Sequence, residues 1–181
     1  MKQLHFSAPN ILRSSFLRPN LSYCVREGAD KLWQIVRIAN NVEGSGIIYV
    51  RRRSDAESLC KELHKEGISA SFYHAGLPAV ERAERQDEWI ANKVRIMVAT
   101  NAFGMGIDKP DVRFVIHYSA PESLEAYYQE AGRAGRDGKR SYAVMLVGED
   151  EEENMNFLIN AQFPAIKEIA AYTMSCAYSY K

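Results

Sequence analysis

The fold class follows from the stretch Ile47-Ile48-Tyr49-Val50-Arg51-Arg52-Arg53-Ser54-Asp55-Ala56-Glu57. Its first four residues form an apolar run of strand length, and its serine and final glutamate have the spacing of a capping box, which marks the start of a helix. A strand that is apolar on both faces and leads directly into a helix indicates a parallel sheet that is covered by helices on both sides.

The same alternation of strands and helices continues on both sides of that stretch. The hydrophobic pattern predicts further strands at 21–26, 70–73, 94–99, 114–118 and 141–147, and helices at 30–41, 54–66, 78–92 and 123–132. We therefore expect an α/β fold, a three-layer sandwich with a mainly parallel central sheet. Ligands of such sheets bind outside the carboxyl ends of the strands, which directs attention to the loops 51–54, 74–77, 100–112 and 119–123.

Composition narrows the class of protein. The chain has 181 residues, of which 46% are hydrophobic and 25% charged, and its formal net charge is zero, so any binding of nucleic acid must rest on a local patch. No apolar run is long enough for a transmembrane helix, so we expect no membrane partner. The cysteines Cys24, Cys60 and Cys176 form no Cys-x-x-Cys pair, which argues against a zinc site and favours a reducing, cytoplasmic location.

The run Gln129-Glu130-Ala131-Gly132-Arg133-Ala134-Gly135-Arg136-Asp137-Gly138 contains two arginines, each preceded by a glycine. If the run is helical, Arg133 and Arg136 share a face and can present two guanidinium forks to one polyanion such as phosphate. The alternative is a solvated basic turn at the end of a helix, where glycine and arginine are both favoured. These ten residues alone leave both interpretations open.

Three loops after predicted strands carry groups that suit phosphate. Thr100 and Asn101 offer side-chain hydrogen bonds, and two glycines leave the backbone of the same loop accessible. His74 follows a second strand, and the basic triplet 51–53 follows a third, where it suits a nucleic-acid backbone. Taken singly, these features also fit a long connection, a structural histidine and a solvated charge run.

The chain has no phosphate loop of its own, because Gly-x-x-x-x-Gly-Lys-[Ser/Thr] does not occur in it. The acidic cluster at 149–153 follows an apolar strand and superficially resembles a magnesium site. We interpret it instead as the start of a helix, where the helix dipole favours acidic residues. No metal-binding residue is therefore predicted.

Taken together, these segments resemble the second RecA-like domain of superfamily 2 helicases, and within that group the RecQ family of DNA helicases. The resemblance covers about residues 15–147 and opens with Arg18-Pro19-Asn20-Leu21, which looks like the family's lead-in to this domain. Residues 47–57 resemble motif IV, and 127–138 resemble motif VI. The most specific match is the motif V run Ala102-Phe103-Gly104-Met105-Gly106-Ile107-Asp108-Lys109-Pro110.

The resemblance implies roles for individual residues. Arg136 would be the arginine finger that reaches the γ-phosphate of ATP, and Arg133 would assist in the same cleft. The residues implied to contact the nucleotide are Gln129, Asp108 and Gly106. Those implied to contact the tracking DNA strand are Arg51, Arg52, Arg53, His74, Thr100 and Asn101.

The resemblance also implies a motor function. The whole enzyme would couple ATP hydrolysis to 3′ to 5′ movement along single-stranded DNA and to unwinding at duplex junctions. ATP and Mg²⁺ would be held mainly by a first RecA-like domain that precedes this chain. We expect residues 1–20 to be the interdomain linker, 21–148 the RecA-like domain and 149–181 a helical extension. Alone, the chain should be a monomer without ATPase activity, from a protein that is cytoplasmic, or nucleoid-associated in a bacterium.

Two departures from the family pattern qualify these expectations. Arg52 stands where motif IV commonly has a serine, so the usual hydroxyl contact to phosphate is missing there. The cysteine-rich zinc subdomain that often follows motif VI is absent as well. The alternatives are an RNA helicase lobe with the same fold, a non-catalytic nucleic-acid-binding module, and a stand-alone phosphate-binding enzyme, which the missing phosphate loop argues against.

Overall fold

The computed structural model describes residues 18–104 and 106–148. Most of the predicted linker and the whole of the predicted helical extension, residues 149–181, lie outside these ranges, and the domain boundaries stay predictions. The described elements are, in chain order, β1 (Leu21–Glu27), α1 (Lys31–Asn41), β2 (Ser45–Tyr49), α2 (Arg53–Lys65), β3 (Ala70–Tyr73), α3 (Ala79–Ile90), β4 (Ile96–Ala99), β5 (Val112–His117), α4 (Leu124–Ala131) and β6 (Ser141–Val147).

The six strands form one sheet in the order β1-β6-β5-β2-β4-β3, and every neighbouring pair is parallel. β2 lies between β5 and β4 and is buried along its whole length. Ile48 joins the apolar cluster formed with α1 and α2, whereas Ile47 and Tyr49 join the cluster that contains Trp89 of α3 and Ala131 of α4. Successive side chains of β2 therefore pack into two different apolar clusters. The predicted three-layer α/β fold is confirmed.

Within the described residues, the predicted strands and helices are present, with small shifts at their ends. β2 begins at Ser45, two residues earlier than predicted, and its Gly46 lies directly against the ring of Phe114. A Cβ at Gly46 would overlap with Phe114 Cε2, so a larger residue could not occupy this strand position. The pattern of apolar residues could not show this contact, since glycine carries no signal of burial.

The prediction that Ser54 caps α2 is wrong. The helix begins at Arg53, and Arg52 occupies the N-cap position without a side-chain hydrogen bond. The Ser54 hydroxyl instead donates to Asp55 Oδ1 at 3.2 Å. Glu57, the other half of the expected capping box, places its carboxylate 3.2 Å from Nε2 of His74. A contact with the loop after β3 has thus replaced the local cap.

The long connection between β4 and β5, residues 100–111, contains no helix in its described part. It leaves the carboxyl end of β4 and returns to the amino end of β5, and its Phe103 and Ile107 are buried in the same cluster as Trp89. The connection therefore covers part of the sheet that a crossover helix would otherwise cover. No helix in the two described ranges is both long and apolar enough to cross a membrane.

Candidate functional site

The segment that follows α4, residues 132–138, is called the arginine loop here because it carries Arg133 and Arg136. α4 ends at Ala131, and Gly135 between the two arginines has a φ of +63°, which a continuous helix does not allow. The expectation that both arginines share one helix face is therefore wrong. They lie in consecutive turns, and each side chain takes its own direction.

The backbone of the arginine loop is bonded to the end of the connection 100–111. The N–H of Gly135 donates to the carbonyl of Val112 at 2.8 Å, and the N–H of Asp137 donates to that of Pro110 at 3.2 Å. The guanidinium of Arg113 pairs with the Asp137 carboxylate, and this hydrogen bond lowers the pKa of Asp137. The motif V and motif VI segments thus form one structural unit.

Arg133 is held against the inner side of this unit. Its Nη1 donates to the carbonyl of Gly104, and its buried Nε has no hydrogen-bond partner among the described residues. The guanidinium fills the space where any other residue would place a Cβ, since a Cβ at Gly104 would overlap with Arg133 Cζ. Arg133 therefore fastens the two motif segments together.

Arg136 points outward. Its Nη1 lies 3.0 Å from Asp108 Oδ1 and 3.2 Å from the carbonyl of Ile107, and the side chains of Arg136 and Asp108 are 38% and 86% exposed. An ion pair this exposed contributes only about 0–1 kcal/mol, so a stronger anion can take the place of Asp108 at small cost. The position of Arg136 therefore fits a phosphate ligand, and its role stays a prediction.

Two other predicted nucleotide contacts lie close in sequence to the paired Asp108 and Arg136. Gly106 is exposed with a φ of +76°, and no atom lies within 4 Å of the position of a Cβ, so its backbone is open to a ligand. Gln129 is exposed in the last turn of α4, just before the arginine loop. Both positions suit a ligand contact, and their roles stay predictions.

Two buried groups beneath the arginine loop were not found from the sequence. The hydroxyl of Tyr49 donates to the carbonyl of Phe103 at 3.2 Å, and burial raises the pKa of this tyrosine well above its usual range, against the opposing charge of Arg133. The Nε2 of His117 lies 3.0 Å from Glu130 Oε2, with both side chains buried. The sequence did offer one indication of the contact between Tyr49 and Phe103, because Tyr49 is the one aromatic residue of β2.

Lys109, part of the most specific sequence match, has a structural position. Its buried ammonium donates to Asn92 Oδ1 at 2.8 Å and to the carbonyl of Ile90 at 3.2 Å, and it pairs with Asp111 at 3.0 Å. Burial alone would raise the pKa of Asp111, but the hydrogen bond and charge of Lys109 outweigh it and lower this pKa. Lys109 therefore pins the connection 100–111 to the end of α3.

The predicted nucleic-acid contacts lie at the carboxyl ends of the neighbouring strands β2, β4 and β3, and we call this surface the basic edge. It comprises Arg51, Arg52, Arg53, His74, Thr100 and Asn101, which follow those three strands. The three arginines and Asn101 are exposed, whereas Thr100 and His74 are buried. The exposed members can meet a polyanion directly.

His74 supports the basic edge from beneath. Its ring stacks on Phe72 with 5.8 Å between centroids, and its Nε2 faces the Glu57 carboxylate. The backbone of Gly76 lies close above, since a Cβ there would be 2.9 Å from Arg53 Nη1 and 3.2 Å from His74 Nδ1. The histidine thus packs beside Arg53 instead of standing free.

In residues 18–104 and 106–148, no group of three or more His, Cys, Asp or Glu is placed to hold a metal ion.

Solved structures place this architecture in a class. A structure of Saccharomyces cerevisiae Dbp5 matches with a TM-score of 0.68 at 25% identity, covering 83% of this chain and 41% of that one. A DEAD box protein from the hyperthermophile Methanococcus jannaschii matches with a TM-score of 0.66 at 25% identity, covering 80% and 40%. The fold is therefore that of a RecA-like helicase lobe.

Residues 28–138 match the family model described as the helicase conserved C-terminal domain, and the chain belongs to this family. It is 50% identical over 138 residues to the ATP-dependent DNA helicase hus2/rqh1 of Schizosaccharomyces pombe, covering 75% of this chain and 10% of that protein. It is 41% identical over 159 residues to the ATP-dependent DNA helicase RecQ of Bacillus subtilis, covering 87% and 27%. The predicted resemblance to RecQ-family DNA helicases is confirmed, although the chain spans at most about a quarter of these relatives.

Proposed function

We propose that this chain is the second motor lobe of an ATP-dependent DNA helicase, and that it contributes the arginine finger and part of the track for single-stranded DNA. The observation that carries the proposal is the placement of Arg136. Its guanidinium is exposed on a loop whose backbone is bonded to the motif V segment, and its only described ionic partner is an exposed carboxylate. The loop thus holds the Arg136 guanidinium at the surface, where a phosphate can replace the Asp108 carboxylate.

Arg136 would act on the charge that develops during phosphoryl transfer. A guanidinium matches phosphate oxygens with two parallel hydrogen bonds and stays charged at every relevant pH. ATP and Mg²⁺ would be held mainly by a first RecA-like domain of the whole protein, because this sequence contains no phosphate loop. An arginine finger of this kind increases the rate by about three to five orders of magnitude. Arg133 would keep the arginine loop in position through its hydrogen bond to the Gly104 carbonyl.

The basic edge would hold the DNA strand through its phosphates, which makes contact largely independent of sequence. Asn101 stands on this edge at the start of the connection 100–111, and Asp108 meets Arg136 near its end. We propose that this connection transmits closure around ATP to the DNA track. Movement in the 3′ to 5′ direction and action at duplex junctions belong to this proposal, and the family resemblance supports them.

The test is Arg136→Ala in the full-length protein, with Arg140→Ala as the matched control. We expect Arg136→Ala to bind ATP normally and to lose about 10³-fold or more of kcat, because the finger acts on the transition state. Arg140 is exposed and its guanidinium lies over the ring of Tyr142, so its variant should retain kcat. If kcat of Arg136→Ala survives while KM for ATP alone rises, the finger assignment is wrong.

A second expectation concerns the 181-residue chain on its own. It should show no ATP hydrolysis with or without single-stranded DNA, because the groups that would hold ATP and Mg²⁺ belong to the proposed first domain. Hydrolysis is measured as phosphate release from purified chain, with the full-length protein as positive control. DNA-stimulated turnover by the isolated chain would contradict the division of labour between two lobes.

An RNA helicase lobe is the second candidate, favoured by the structural likeness to DEAD-box proteins. The higher identity to DNA helicases, 50% and 41% against 25%, argues for DNA. The two are separated by comparing the ATPase activity of the full-length protein with single-stranded DNA and with RNA of the same sequence. Greater stimulation by RNA would select the second candidate.

A further inference from the structure

We infer that Arg18 and Asn20 are positioning residues for Arg136: they hold the arginine loop in the geometry in which the finger can act. The inference rests on the proposed function of Arg136. Both residues precede β1 and lie ahead of residues 28–138, the part that matches the helicase family model. The finger would then depend on a segment more than a hundred residues away in the chain.

Arg18 donates to a row of carbonyls in the arginine loop. Its Nη2 lies 2.8 Å from the oxygen of Gly135 and 2.9 Å from that of Ala134, and its Nη1 lies 3.4 Å from that of Gly132. These carbonyls lie in the turns after α4, outside the ladder of helix hydrogen bonds, so other donors must satisfy them. A guanidinium is the side chain best able to satisfy several such oxygens, because its donors lie in one rigid plane.

Asn20 completes the arrangement from both its side chain and its backbone. Its Nδ2 donates to Gly135 at 2.8 Å and to Lys139 at 3.0 Å, and its carbonyl accepts the N–H of Ser141 at 2.8 Å. Gly135 has room for these contacts only because it lacks a side chain, since a Cβ there would lie 2.6 Å from Asn20 Nδ2. The lead-in segment and the arginine loop are therefore shaped to each other.

These contacts restrain the backbone of Gly135, the residue that precedes the proposed finger Arg136. The N–H of Gly135 is bonded to Val112, and its carbonyl accepts from both Arg18 and Asn20, so the peptide groups that precede Arg136 are fixed from two sides. Catalysis by positioned groups is sensitive to displacements of about 1 Å, which can cost about 10²-fold in rate. Loss of Arg18 would leave the guanidinium of Arg136 intact but would release its backbone.

The test compares Arg18→Gln, Arg18→Lys and the control Arg26→Gln in the full-length protein. Arg26 is an exposed arginine of β1. We expect Arg18→Gln to lower kcat of the DNA-stimulated ATPase by about 10- to 100-fold and to leave KM for ATP within about twofold. Arg18→Lys should recover only part of the loss, because a single ammonium cannot span the carbonyls, and Arg26→Gln should match the wild type. A KM effect without a kcat effect, or equal loss in the control, overturns the inference.

A double-mutant cycle with Arg136→Ala separates this inference from the proposed function. Single-turnover hydrolysis is used so that slow residual rates stay measurable. If Arg18 acts through the finger, Arg18→Gln causes no further loss once Arg136 is alanine. Full activity of Arg136→Ala refutes the proposed function. A strongly slowed Arg136→Ala whose residual rate falls further by the full Arg18→Gln factor refutes the role of Arg18 alone. If Arg18→Gln does not fold, Asn20→Ala replaces it in the same cycle with the same expected outcomes.

Discussion

Arg133 and Arg136 follow the same sequence pattern, a glycine and then an arginine, yet they meet different surroundings. Arg133 fills the space above Gly104 and donates to its carbonyl, while Arg136 reaches the exposed Asp108. The difference follows from Gly135, whose φ of +63° turns the chain between them. Arg133 is packed within the structure, whereas Arg136 lies at the surface in an exposed ion pair.

The close approach of Arg133 to Gly104 leads to a stability prediction. Gly104→Ala should lower the free energy of unfolding by about 2–4 kcal/mol, because it adds a steric clash with the guanidinium to the strain of a φ of +120°. Gly67→Ala is the matched control, since Gly67 has a φ of +73° and nothing within 4 Å of a Cβ, so it should cost only about 1–2 kcal/mol of strain. Urea unfolding of both variants measures the two losses of free energy. Equal losses would show that Arg133 moves away from the added methyl group without lowering stability.

Residue types were predictable from the sequence, but their partners were not. The pattern marked Arg136, Arg133 and the basic triplet as anion-binding candidates because a guanidinium matches phosphate oxygens and ligands bind at the carboxyl ends of parallel strands. It could not show that His74 is buried against Glu57, or that the ammonium of Lys109 is held by three partners. Such contacts join segments far apart in sequence, and no local pattern encodes them.

Helix starts show how tertiary contacts override local signals. Ser54 has the full capping-box spacing but makes no cap, because α2 begins one residue earlier and Glu57 lies near His74. Ser123 lacks the matching acidic residue three positions later, yet its hydroxyl accepts the N–H of Ala126 at 3.1 Å and caps α4. The strands and helices themselves were predictable, since their apolar periodicity reflects burial along the whole element.

These two serines form a matched pair for a test. Ser123→Ala should lower the free energy of unfolding by about 1 kcal/mol, because it leaves a backbone N–H of the first turn of α4 without its partner. Ser54→Ala removes a hydroxyl that bonds only to the neighbouring Asp55 and should change stability by less than about 0.5 kcal/mol. Chemical unfolding of both variants decides the matter. A larger loss for Ser54→Ala would mean that α2 is capped in solution as the sequence predicted.

In the described part of the chain, one connection joins the basic edge to the arginine loop, the two surfaces that carry the proposed contacts. The basic edge lies at the carboxyl ends of β2, β4 and β3, whereas the arginine loop is bonded to Val112 at the amino end of β5. Residues 100–111 run between them because the chain must pass from β4 on one side of β2 to β5 on the other. A sheet with this strand order therefore brings a proposed DNA contact and a proposed nucleotide contact onto a single stretch of backbone.

The formal net charge of zero makes binding of the isolated chain to single-stranded DNA a local property. We expect binding to be weak and to depend on the basic edge. Replacing Arg51, Arg52 and Arg53 together by glutamine should reduce the slope of log K against log salt concentration by about 0.7 for each phosphate that the protein no longer neutralises, and thus by about 2. Fluorescence titration of labelled DNA at several salt concentrations measures this slope.

The matched control replaces Arg26, Lys61 and Lys93, all exposed and away from the basic edge, by glutamine. Both triple variants lower the net charge equally, so a general field effect would weaken DNA binding in the same way in each. Debye screening limits such distant charges to a small contribution at about 0.1 M salt, whereas direct phosphate contacts release counterions. The control should therefore keep the wild-type slope. Equal slopes in the two triple variants would place the DNA contacts elsewhere on the lobe and remove Arg51, Arg52 and Arg53 from the track.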